Sequence, residues 1–208
     1  MNKKVLLITL IVLLVVLGVA AALYPKLSQS MESQQLAPAP TAATTVPAPP
    51  DPAHPEKETE PPQQTEPELV AAPDFTVLDM DGNQVQFSDY AGKPIVLNFW
   101  AHWCGPCQME MPDFQEAYLE LGDSITFLMV NMTDGMRETI VVASDFIAEK
   151  GYTFPVLYDK ASDAAATYGV YSLPTTYFID AEGYAIAQAT GAINSSTLRR
   201  GIDLITSE

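Results

Sequence analysis

The chain has 208 residues, with 10 basic and 26 acidic side chains, a net charge of −16 and an isoelectric point near 4.2. Nucleic-acid binding needs clustered lysine and arginine, so the composition excludes that class. The acidity is not confined to a tail. From Ala71 onward there are 19 acidic and 6 basic residues, a net −13, which permits basic partners and gives a soluble, solvated surface.

Met1-Asn2-Lys3-Lys4 precedes an uncharged apolar run over residues 5–23, 19 residues interrupted only by Thr9 and Gly18. About 20 such residues cross a bilayer core, and the lysines ahead of the run place residues 1–4 in the cytoplasm and the remainder outside. Residues 1–25 are therefore predicted to be a single transmembrane signal-anchor in the cell membrane. A cleaved signal peptide is the competing reading, with Ala20, Ala21 and Ala22 as small residues for cleavage. The run is longer than the roughly 7–15 apolar residues of such peptides, which favours the anchor. Residues 26–70 hold Pro38, Pro40, Pro47, Pro49, Pro50, Pro52, Pro55, Pro61, Pro62 and Pro67 among Ala, Thr, Gln and Glu. With no apolar periodicity, this stretch is predicted to be a disordered, partly extended stalk.

The folded domain is predicted over 71–208, long enough for one core. Residues 75–78 and 84–87 read as short strands joined by an Asp81-Gly82-Asn83 turn. Asp79 and Asp81 are turn residues, since no twelve-residue loop closing on a glutamate follows to hold calcium. Residues 94–101 form a buried central strand. A helix then runs to about residue 121, with Cys107, Met111, Phe114, Tyr118 and Leu121 as its apolar stripe. Pro112 is expected to kink it and Gly122 to end it. A strand over 125–131 is followed by a helix over 136–150, a strand over 154–158 and a short helix over 161–168. Strands over 175–180 and 184–190 form a hairpin across Ala181-Glu182-Gly183, and a helix over 194–205 closes the chain.

Both cysteines, Cys104 and Cys107, and both tryptophans, Trp100 and Trp103, fall where the central strand turns into the long helix. A helix N-terminus carries unpaired N–H groups and partial positive charge, which favours the thiolate over the thiol at Cys104. The thiolate is the attacking species in disulfide exchange, and Cys107 is close enough to resolve the mixed disulfide. Pro106 sits in the first turn, where a missing N–H costs little. A zinc site would need about four ligands, and only His102 is near, His54 lying in the proline-rich stretch. A purely structural disulfide over so short a loop stabilises little. The pattern reads as a redox-active dithiol that needs no cofactor and no metal.

Trp103-Cys104-Gly105-Pro106-Cys107 resembles the active site of thioredoxin, and the wider chain resembles the membrane-anchored TlpA/ResA group of thioredoxin-like proteins. The resemblance implies an α/β thioredoxin fold with an N-terminal β-hairpin and a helical insertion at 136–150. It implies a nucleophile at Cys104, a resolving thiol at Cys107, and an active-site turn through Gly105 and Pro106. It also implies a cis bond between Leu173 and Pro174, with the Leu173 backbone free to pair with an extended substrate. Trp103, next to Cys104, is read as shielding the dithiol and forming part of the partner-docking surface. Thioredoxin has a buried aspartate where Asn98 stands. The TlpA/ResA group instead carries a glutamate three residues after its second cysteine, and Glu110 occupies that place, on the same side of the helix as Cys107. His102 either tunes the thiolate or points to solvent.

The activity implied is thiol–disulfide exchange outside the cytoplasm. The Gly-Pro pair resembles reducing members, which implies a reductase of exported proteins such as apocytochrome c, fed by a membrane thiol transporter of the CcdA/DsbD kind. A disulfide oxidase, or a thiol peroxide reductase, is the alternative within enzymes; residues 74–87 also resemble peroxiredoxins, which lack this C-x-x-C. A redox-inert docking or chaperone module is the alternative outside them.

Overall fold

A computed structural model describes residues 36–39 and 69–207. The predicted anchor at 1–25 and most of the 26–70 stalk lie outside the described residues. Among the described residues no helix is long and apolar enough to cross a membrane.

Strand β5 (Ile95–Trp100) is buried at all six positions, so both of its faces need cover. It pairs in parallel with β6 (Thr126–Asn131) and antiparallel with β8 (Thr175–Ile179). Its side chains alternate. Ile95, Leu97 and Phe99 join Phe75, Tyr168 and Tyr177 in one core layer. Val96 and Trp100 join Met111 and Phe114 of helix α1 (Gly105–Leu121), and Leu198 and Ile202 of the closing helix (Ser195–Thr206), in the other. Asn98 takes the same alternation and therefore faces α1.

The remaining strands are β1 (Leu36–Pro38), β2 (Val70–Ala71), β3 (Thr76–Leu78), β4 (Gln84–Gln86), β7 (Val156–Tyr158) and β9 (Tyr184–Thr190). They give the sheet order β1-β9-β8-β5-β6-β7-β3-β4, with β2 also on β9. Helix α2 (Ile140–Lys150) follows β6, α3 (Asp163–Thr167) follows β7, and the closing helix is α4. The thioredoxin-fold arrangement with its N-terminal hairpin β3–β4 is as the sequence implies. The hairpin turn is built as read, with Asp79 Oδ1 accepting from the N–H groups of Asp81 and Asn83 at 2.9 and 2.8 Å. Helix α4 lies so close to β8 that a Cβ at Gly201 would sit 2.2 Å from the Phe178 ring. Only glycine fits there.

Two expectations are corrected. The insertion helix starts at Ile140, not at residue 136. Asp134 Oδ1 accepts from the N–H groups of Met136 and Glu138 at 2.7 and 2.8 Å, and Thr139 caps the helix by accepting from Val142 N at 3.2 Å. Side-chain bonds of this kind compete with helix, so residues 132–139 form a loop. The second correction concerns the stalk, which is not disordered throughout. Leu36–Pro38 pairs with Ala187–Ala189 and Val70–Ala71 with Tyr184–Ala185, both antiparallel on β9. Without them β9 would expose a row of unpaired backbone groups, and Pro38 is tolerated because it sits at a sheet edge.

Candidate active site

The dithiol stands where β5 turns into α1. Cys104 N donates to Ala101 O at 3.1 Å, closing a turn with His102 and Trp103 at its corners. Cys104 then caps α1, in extended backbone conformation, and its sulfur accepts from Cys107 N at 3.2 Å. Gly105 opens the helix, and Pro106 lies in its first turn. Cys104 and Cys107 form a disulfide. Cys107 is fully buried within the layer that holds Met111 and Phe114, whereas Cys104 keeps 5 % of its surface exposed. Cys104 is thus the outer of the two, but it is more covered than a solvent-reachable thiol on the first turn would suggest.

That residual surface opens on a groove of about 550 Å³, lined by Trp103, Cys104, Pro106, Tyr171 and Leu173 among others. The Leu173–Pro174 peptide is cis, as the resemblance implied. No hydrogen bond among the described residues takes up the Leu173 backbone. Trp103 and Tyr171 flank the groove as exposed aromatics. Asp134 also borders it, and its carboxyl is held below the usual range by the N–H groups of Glu138 and Met136.

Glu110 is buried, not partly so as its helical position alone suggests; it is 2 % exposed. Its Oε1 accepts from Asn98 Nδ2 at 2.8 Å and its Oε2 from Ile193 N at 3.0 Å. Asn98 Nδ2 also donates to Thr176 Oγ1 at 3.0 Å, while its amide oxygen has no partner among the described residues. Burial pushes the Glu110 carboxyl up to about 8, and the two donated hydrogen bonds offset only part of that. Asn98 is therefore the link between the central strand and Glu110. Ile193 and Thr176 come from distant parts of the chain, and no pattern in the sequence marks them.

A second buried carboxylate escaped the sequence reading. Glu138 is fully buried. Its Oε1 accepts from His102 N at 2.8 Å and from Asn131 Nδ2 at 2.6 Å, and its Oε2 pairs with the His102 ring at Nδ1. Next to it, the Arg137 guanidinium lies 4.3 Å from the centre of the Trp103 ring. His102 is therefore held by a carboxylate and does not simply point to solvent. In sequence, Glu138 reads as an ordinary first-turn helix carboxylate, and only the loop at 132–139 turns it inward. Among the described residues no group of three or more His, Cys, Asp or Glu side chains could hold a metal ion.

The chain is similar to known proteins in sequence and in fold. The model of the AhpC/TSA family matches residues 70–187. The chain is 34% identical over 135 residues to the thiol-disulfide oxidoreductase ResA of Bacillus thuringiensis subsp. konkukian, covering 65% of this chain and 76% of that protein. Among solved structures, the exposed lipoprotein thioredoxin Etrx1 of Streptococcus pneumoniae is 34% identical with a TM-score of 0.52, covering 62% of this chain and 96% of that one. A DsbF homologue from Corynebacterium diphtheriae is 30% identical with a TM-score of 0.59, covering 67% and 88%.

Proposed function

Because the chain belongs to the AhpC/TSA family, and within it to the thiol-disulfide oxidoreductases of the ResA type, we propose that it reduces disulfides in exported proteins through Cys104, Cys107 and Glu110. The observation that carries this reading is a cysteine pair at a helix N-terminus, one turn from a buried carboxyl that meets only neutral donors among the described residues.

In the reduced protein the Cys104 thiolate attacks one sulfur of the substrate disulfide. The substrate S–S bond breaks, a Cys104–substrate S–S bond forms, and the departing substrate sulfur takes up a proton from solvent. The substrate approaches along the groove, flanked by Trp103 and Tyr171 and pairing with the Leu173 backbone before Pro174. Cys107 then gives its proton to the Glu110 carboxylate and attacks the Cys104 sulfur. The second substrate thiolate leaves and is protonated by solvent, and the Cys104–Cys107 disulfide has formed. The two electrons of the dithiol have passed to the substrate. A carboxyl raised to about 8 lies close enough to the working pH that its ionised fraction can act as the base, and a rise in pH favours that form.

The peroxide-reductase alternative rests on residues 74–87. They form the β3–β4 hairpin, at the opposite edge of the sheet from β9, and contribute no side chain to the site described above. The redox-inert alternative leaves the proton-holding Glu110 without a use. On the sequence of residues 1–25, the domain is held outside the cell membrane by a single anchor. The surface exposure stated for Etrx1 is consistent with that side of the membrane. Apocytochrome c is one substrate of the right chemistry, and a CcdA/DsbD-type thiol transporter would return electrons.

The test is trapping with Cys107→Ser in membranes. This variant should accumulate mixed disulfides with exported proteins at Cys104, and Cys104→Ser should accumulate none. Equal recovery from both variants would overturn the assignment of the two thiols. Topology is tested separately. Protease added to intact spheroplasts should digest the domain, and a carbonate wash should leave the protein in the membrane fraction.

A further inference from the structure

Two consecutive residues ahead of Cys104 are each held by one of two consecutive residues from the 132–139 loop. His102 is bonded through both its backbone N–H and its ring to Glu138, and Trp103 lies under Arg137. Glu138 is wholly buried, while the His102 side chain is 28% exposed. A buried carboxylate is costly unless it meets a cation or several donors. Here its partners are the His102 backbone, Asn131 and the imidazole, the imidazole being its only ionisable partner among the described residues.

We propose that Glu138 is a positioning residue for the nucleophile: by holding His102 at both its backbone N–H and its ring, it fixes the Ala101–Cys104 turn and so sets where the Cys104 sulfur stands at the N-terminus of α1. This rests on the reading of Cys104 as the attacking thiol. The closing bond of the turn, Cys104 N to Ala101 O at 3.1 Å, spans the residue that Glu138 grips. A Cys104 sulfur seated at the start of α1 meets the partial positive charge of the helix N-terminus, which favours thiolate over thiol, so the set of the turn bears directly on reactivity.

The other groups around the pair act on other atoms. Asn131 comes from β6 and is neutral. Gln108, from α1, donates its side-chain amide to His102 O. Asp134 is engaged by the N–H groups of Met136 and Glu138, and Arg137 lies over Trp103. Glu110, the other buried carboxylate near the dithiol, is bonded to Asn98 and Ile193 and shares no partner with the pair.

The experiment follows the rate of alkylation of Cys104 against pH in the reduced full-length protein, with each thiol read separately by mass spectrometry. In the parent, Cys104 should react faster than Cys107. Glu138→Ala should move the Cys104 profile to higher pH and slow its alkylation at pH 7 by about threefold, the scale of one helix-terminus interaction, and Glu138→Gln, which can still accept from His102 N, should restore most of the rate. His102→Gln removes the ring half of the grip and should give a smaller shift in the same direction, and Glu138→Ala with His102→Gln should be no slower than Glu138→Ala, because the grip is already gone. His102→Gln replaces a partly exposed ring and keeps the test open if Glu138→Ala fails to fold. Profiles that superimpose on the parent's, or effects that multiply in the double variant, would overturn the proposal. A parent in which Cys107 reacts as fast as Cys104 would instead overturn the reading beneath it.

Discussion

Glu110 and Glu138 flank the same dithiol and are shut away from water to the same degree, 2% and 0% exposed. What separates them is the company they keep. Among the described residues Glu110 meets only neutral donors, the Asn98 amide and the Ile193 N–H, and burial therefore dominates, pushing its carboxyl up to about 8. Glu138 meets neutral donors too, but also a histidine ring. Burial alone does not give a carboxylate a role. With two neutral donors Glu110 becomes a store for a proton; with a backbone N–H and a ring of the same residue as partners, Glu138 holds that neighbour in place.

The sharpest way to test this contrast is to neutralise Glu110. Glu110→Gln should slow release of the mixed disulfide by about 10²-fold, within the usual range for a lost general base, and leave the first attack by Cys104 much less affected. Stopped-flow measurement of the two phases separates them. Parent-like resolution across pH 6 to 8 would show that water or another group takes the Cys107 proton.

The same substitution has a stability signature in the oxidised protein. The folded chain binds the Glu110 proton more tightly than the unfolded chain does, with carboxyl values of about 8 against 4.5. The Glu110 contribution to stability is therefore full below about pH 4.5, is lost as pH rises toward about 8, and levels off above it. Glutamine carries no such penalty. The melting temperature of Glu110→Gln relative to the parent should accordingly climb across that window in thermal scans at fixed ionic strength. A constant offset would mean that Glu110 is not raised in the folded protein.

A smaller effect is expected from Asn98→Leu, which keeps the volume and removes the donor to Glu110 Oε1. That donor lowers the Glu110 carboxyl, so its loss should raise the carboxyl further and move the pH profile of mixed-disulfide resolution upward, by about one unit at most for a single neutral hydrogen bond. A downward shift would contradict the hydrogen-bond assignment. The smallest effect belongs to the Glu138 side of the contrast. Arg137→Ala removes the cation over Trp103, an exposed contact worth about 0.5–1 kcal/mol. It should alter Trp103 fluorescence and raise KM for a protein disulfide by about two- to fivefold. Unchanged emission would mean that the two side chains do not meet in solution.

The sequence alone determined the local chemistry: two cysteines at the start of a helix, a glutamate one turn on, and the strand, hairpin and helix patterns that carry them. These features are encoded within a few residues of one another, by alternation along β5 and helical spacing along α1. The resemblance supplied the cis Leu173–Pro174 bond, for which local pattern gives little signal. What only the tertiary structure decided involves partners far apart in the chain. Ile193 reaches Glu110 across 83 residues and Thr176 reaches Asn98 across 78, and no periodicity records such a meeting. Glu138 reads locally as the start of a helix. It becomes part of the site because Asp134 captures the backbone ahead of it and a buried carboxylate must find donors, which β6 and the turn before Cys104 supply. Leu36–Pro38 is equally invisible in a proline-rich stretch; the strand there exists because β9 has an open edge to fill.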